Sequence, residues 1–108
     1  MAAPKTEGWN AWLNMMPPGP PHIYVTGEVT VGNPGYEALL HKKVPQGSNN
    51  QILMLDLNLG QKPGTWPQVV VIVPARYEQV VPRGTNYTEV QIFYDGSPII
   101  TINVDIVT

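Results

Sequence analysis

Apolar and polar positions alternate with a period of two over much of this chain, and the alternation predicts strands. From residue 23 to 31, Ile23, Val25, Val29 and Val31 fall on one face and Tyr24, Thr26, Glu28 and Thr30 on the other. Gly27 lies on the inward face, where a missing side chain predicts a bulge or the close approach of a bulky group such as a tryptophan. Asn33-Pro34-Gly35 predicts a turn, with the glycine free to take a positive φ. A second strand is expected over residues 36–44 and a clearer one over 51–59, where Leu53, Leu55, Leu57 and Leu59 face one way. Residues 69–73 are an unbroken apolar run, which predicts a central strand, buried on both faces or with its outer face packed on the N-terminal segment. Pairing should break at Pro74 and resume as an edge segment over 76–81.

The last hairpin permits an argument from parity. Residues 88–94 and 98–107 flank Asp95-Gly96, a strong hairpin signal. A two-residue loop would set Gln91 against Ile100 and Glu89 against Ile102, polar against apolar, so a three-residue loop is expected. A three-residue loop through Tyr94 pairs Val90 with Ile100 and Ile92 with Pro98, and places Ile100, Ile102, Val104 and Ile106 in the core.

The N-terminal stretch has a different period. Trp9, Trp12, Leu13 and Met16 follow the i, i+3, i+4, i+7 spacing and predict a short amphipathic helix or turn, stopped by Pro17-Pro18-Gly19-Pro20-Pro21. The expected organisation is therefore an N-terminal segment with a proline-rich connector over residues 1–21, followed by one domain over 22–108. About seven strands with no long helical pattern between them predict an all-β, antiparallel two-sheet sandwich of immunoglobulin-like architecture, with a small Greek-key barrel as the alternative.

Composition narrows the functional classes. The 108 residues suit one domain, and 43% are hydrophobic. The chain has no cysteine, so disulfides and thiolate metal sites are excluded. Charged residues make up only 13%, about half the roughly 25% usual in a soluble domain, so the outward faces must be largely neutral. With a formal net charge of −2 and no run of either sign, neither a nucleic acid nor a membrane surface is an expected partner. The sequence shows no signal-peptide core and no apolar window of spanning length, which predicts a soluble, cytoplasmic protein.

Candidate chemistry is sparse. Ser48 and Ser97 sit in turn contexts rather than a nucleophile elbow, His22 and His41 lack ligand spacing, and no catalytic residue, metal or cofactor is expected. Residues 17–21 could be a polyproline ligand but read better as a stiff connector, and Asn86-Tyr87-Thr88 matches a glycosylation sequon by chance. The aromatics carry the strongest signal: Trp9, Trp12, Trp66, Tyr77 and Tyr94 are the candidate binding residues. Trp9 and Trp12 are also expected to plug an open end of the sandwich.

Residues 9–20, with Trp9, Trp12, Met15, Met16 and the prolines after them, together with Pro45-Gln46-Gly47, resemble a family of small bacterial β-rich proteins of unknown function. The resemblance implies a bacterial origin and carries no activity and no functional residue. The expected function is a non-enzymatic protein-binding or structural module whose partner is another protein or a second copy of itself. The alternatives are a carbohydrate-binding module using exposed aromatics and, further off, a small hydrolase with a carboxylate pair.

Overall fold

A computed structural model describes residues 3–108 and contains seven strands: β1 (Thr6–Asn14), β2 (His22–Val31), β3 (Tyr36–Lys42), β4 (Ile52–Gln61), β5 (Val71–Val80), β6 (Glu89–Tyr94) and β7 (Ser97–Val107). The protein is all-β, and among the described residues there is no helix. No helix is therefore long and apolar enough to cross a membrane, which says nothing of a β-barrel.

The seven strands form one sheet in the order β3-β4-β6-β7-β1-β2-β5. It curls until its two edges, β3 and β5, lie side by side without pairing, so the molecule is a nearly closed barrel-like sheet in place of the expected immunoglobulin-like sandwich. The sheet is also mixed, not purely antiparallel. β4 pairs with β6 in parallel, and β1 pairs in parallel with the end of β7. The intervening chain explains the first case: β5 lies on the far edge, so the chain leaves β4, crosses over and returns to β6 in the same direction. β7 is long enough to serve two neighbours, pairing with β6 through Ser97–Asn103 positions and with β1 from Val104 onward.

β1 stands where a short helix was expected. Ala11 and Leu13 are buried, Trp9 shares their inward side, and Trp12 turns outward against Tyr24. The helical spacing of 9, 12, 13 and 16 thus mixes two faces of a strand, and the small Ala11 is the inward position it leaves out. A register shift between Glu7 and Asn10, at a Gly8 with φ of 67°, sets Trp9 on the inner face.

β5 also differs from expectation. The run 69–73 is not central: Val69 and Val70 precede the strand, with Val70 70% exposed, and Ile72 is 54% exposed on what is an edge strand. The ladder with β2 passes through Pro74 unbroken, because Pro74 faces Glu28 at a position whose N–H points away from β2.

The core is built as the period-two reading predicts. Ile23, Val25 and Val29 from β2, Leu53, Leu55 and Leu57 from β4, and Val90 and Ile92 from β6 are fully or almost fully buried. Ile100, Ile102 and Val104 pack against this cluster, whereas Ile106, also expected inside, is 53% exposed. It pairs with Leu13 near the end of the β1–β7 ladder. The β6–β7 register pairs Ile92 with Ile100 and Val90 with Ile102. The expected three-residue loop, with Val90 opposite Ile100 and Ile92 opposite Pro98, is not formed: Tyr94 pairs with Ser97, so the loop is the two residues Asp95-Gly96 and the odd residue sits in a bulge at Ile99. Their φ values of 51° and 80° are those of a type I′ turn.

Candidate functional site

The outer face of β1, β2 and β5 carries an aromatic cluster that projects away from the core. Register places Asp105, Trp12, Tyr24 and Glu78 in one row across β7, β1, β2 and β5, and Asn10, Thr26 and Arg76 in the next. Trp12 and Tyr24 stack with ring centroids 5.3 Å apart and planes 18° apart. His22, two residues along β2, continues the stack at 6.1 Å from Tyr24. Cross-strand aromatic pairs of this kind favour each other by about 0.5–1.5 kcal/mol beyond the area they bury. Because they stand on the side opposite the core, neither ring is needed to fill the interior.

Beside the pair runs an open groove of about 420 Å³, lined by Trp12, Tyr24, Thr26, Arg76, Tyr77 and Glu78. It offers flat apolar rings, a hydroxyl, a cation and an anion within one shallow surface. Nothing in it approaches a nucleophile–base–orienter arrangement.

Of the five aromatic candidates, Trp12 and Tyr77 both line this groove, and Trp9, Trp66 and Tyr94 lie elsewhere. Trp9 lies on the inner side, where its ring sits so close to Gly27 that a Cβ there would be 2.3 Å from Cε3. Its Nε1 is buried without a hydrogen-bond partner among the described residues, so the indole serves as packing. The expected plug at an open end is thus not formed, since Trp9 and Trp12 face opposite sides of one strand. Trp66 covers Gly35, where a Cβ would be 2.4 Å from the indole, and its Nε1 donates to the Lys62 carbonyl at 2.9 Å. Gly35 is required by this close approach and not by a positive φ. Tyr94 is half-buried beside the hairpin turn, next to Leu57 and Asp95. Tyr77 points inward with Val25, and its hydroxyl donates to Gln79 Oε1 at 2.6 Å. Burial, and secondarily the Tyr87 phenol, push the Tyr77 pKa above the ordinary tyrosine value.

Of the candidates, Trp12 presents its ring on the outer face and Tyr77 borders the same groove, while Tyr24, Thr26, Arg76 and Glu78 were not singled out in the sequence. A tyrosine among Thr26, Glu28 and Thr30 on an otherwise polar face was the available signal. Arg76 and Glu78 would have joined it had residues 71–80 been read as one strand through Pro74.

The remaining candidates lie apart. His22 is on β2 and His41 on the exposed side of β3, and among the described residues no group of three or more His, Asp or Glu side chains could hold a metal. Ser48 is in a loop, and Ser97 opens β7. Residues 17–21 join β1 to β2, held by a hydrogen bond from Arg83 Nη2 to the Gly19 carbonyl at 2.6 Å. Asn86 is exposed beside a second, neutral groove of about 360 Å³ lined also by Asn50, Gln51 and Tyr87.

Fold and groove define the class: a small all-β protein whose curled sheet displays a stacked aromatic pair on its outer face. No protein-family model, curated protein or solved structure matches the chain.

Proposed function

We propose that the chain is a non-enzymatic binding module that engages another protein through the outer face of β1, β2 and β5, with Trp12 and Tyr24 at the centre of the contact. The stacked pair beside Arg76 carries this reading: Trp, Tyr and Arg are the residues that most often dominate protein interfaces, and here they lie together where the fold does not need them. The low charge of the chain favours the same conclusion, since apolar contact costs less desolvation on a neutral face.

The test is comparative capture. Immobilised wild type and a Trp66→Phe control should retain the same protein, while Trp12→Ala and Arg76→Ala should lose it. Equal retention by all four would remove the groove from consideration.

A second reading is a neutral glycan, favoured by the mixture of ring faces with Thr26, Arg76 and Glu78 in one groove. A glycan panel followed by tryptophan fluorescence separates the two. Under the glycan reading a saturable change appears with wild type and vanishes with Trp12→Phe, and under the protein reading no glycan produces one.

A further inference from the structure

β4 and β6 run parallel with Ile52 opposite Glu89, so the segments that lead into them, residues 43–51 and 81–88, arrive side by side at one end of the sheet. Gln51 ties the two together. Its carbonyl accepts from the Thr88 N–H at 2.8 Å, from the Glu89 N–H at 3.3 Å and from Thr88 Oγ1 at 3.4 Å. Local turns hold both walls in shape. The Gln51 N–H donates to Asn49 Oδ1 at 2.9 Å, and the Thr85 N–H donates to the Pro82 carbonyl at 3.1 Å, where Gly84 takes a φ of 93°. Between the walls lies the neutral groove of about 360 Å³, lined by Asn50, Gln51, Gly84, Thr85, Asn86 and Tyr87. It shares no residue with the groove beside Trp12.

The lining selects its ligand by what it lacks as well as by what it offers. None of the six residues is charged, so an ionic ligand would give up its water with no counter-charge to replace it. Apart from the Tyr87 ring the lining has no apolar side chain, so a peptide would find no pocket for its own apolar side chains. The groove does offer the side-chain amides of Asn50, Gln51 and Asn86 and the Thr85 hydroxyl, none of which has a hydrogen-bond partner among the described residues. Each amide both donates and accepts, which matches the hydroxyls of a sugar. Tyr87 packs against the core and presents an anchored ring for the apolar face of a pyranose.

We propose that this end of the sheet is a second binding site, for a short neutral saccharide, in which Asn50, Gln51 and Asn86 bond the sugar hydroxyls and Tyr87 supports a ring. The volume lies toward the lower end of small-ligand sites, about 300–1,000 Å³, which suits a short ligand. The site is independent of the protein contact at Trp12.

NMR titration of the isotope-labelled full chain with neutral trisaccharides of glucose, galactose, mannose and N-acetylglucosamine tests the proposal. At least one should move the side-chain amide signals of Asn50, Gln51 and Asn86 saturably and leave the Trp12 indole N–H signal in place. Gln51→Ala and Asn86→Ala remove exposed side chains, so the fold should survive, and each should weaken binding by about threefold to tenfold, the worth of about one hydrogen bond. Trp12→Ala should leave saccharide binding unchanged, so failure at this site and failure at the Trp12 groove are read separately. A saccharide that moves the Trp12 signal and is lost in Trp12→Ala belongs to the other groove and overturns the proposal. So does a panel in which no sugar moves the three amide signals, binding that neither substitution weakens, or an equal response to the uncharged peptide acetyl-triglycine amide.

Discussion

Two tryptophans of this protein occupy space that glycines leave open. At Gly27 the gap is widened by its ladder partner Ala75, and the Trp9 ring fills it. Gly27→Ala brings a methyl group into the indole and should cost roughly 1–3 kcal/mol, the range of overpacked cores, as a fall in the urea midpoint. The same substitution in a Trp9→Ala background should cost measurably less, because the two residues share one cavity. Tyr77 makes a prediction of opposite character. Its folded pKa is raised, so folding favours the neutral phenol, and that stabilisation is complete below the unfolded value and lost as pH rises through the folded one. Unfolding free energies measured on the alkaline side should therefore fall more for wild type than for Tyr77→Phe. The tryptophan at Gly27 was legible because a glycine on an inward strand position demands a reason. The one at Gly35 was not, because Asn33-Pro34-Gly35 offers a sufficient reason for a glycine in turn chemistry.

Among the elements, the β6–β7 hairpin shows what parity can and cannot decide. Inner residues must meet inner residues, which requires one odd residue between them, but that residue can lie in the turn or in the ladder with the same result for the faces. Here Asp95 and Gly96 take the paired left-handed conformations of a type I′ turn, and Ile99 carries the bulge. Gly96→Ala and Asp95→Val should each destabilise the protein by about 1–2 kcal/mol in chemical denaturation, whereas Asp95→Asn should be nearly neutral. The same limit explains β1 and β5. Ala11 is too small to register in a count of large apolar positions, so a strand with Trp9, Ala11 and Leu13 inside reads as a helical stripe. Pro74 reads as a break because sequence does not tell which side of a strand lacks a neighbour.

At the scale of the molecule, strand existence and the inward faces follow from local alternation, but strand order does not. The parallel pairings of β4 with β6 and β1 with β7 join residues far apart in the chain, and no local pattern specifies them. The binding face depends on that order. Trp12, Tyr24 and Arg76 become neighbours only once β1, β2 and β5 are adjacent, which is why the sequence yields five scattered aromatics and the structure yields one platform. The account therefore rests on a division of labour between Trp9, spent on packing, and Trp12, held out for contact. Equilibrium unfolding of the two alanine variants measures it most directly. Trp9→Ala should lose about 3 kcal/mol or more, as a large ring removed from packed surroundings does, and Trp12→Ala only about 1 kcal/mol, the worth of an outer-face aromatic pair. A Trp12→Ala loss as large as that of Trp9→Ala would show that the outer ring belongs to the fold and contradict the assignment of this face to binding.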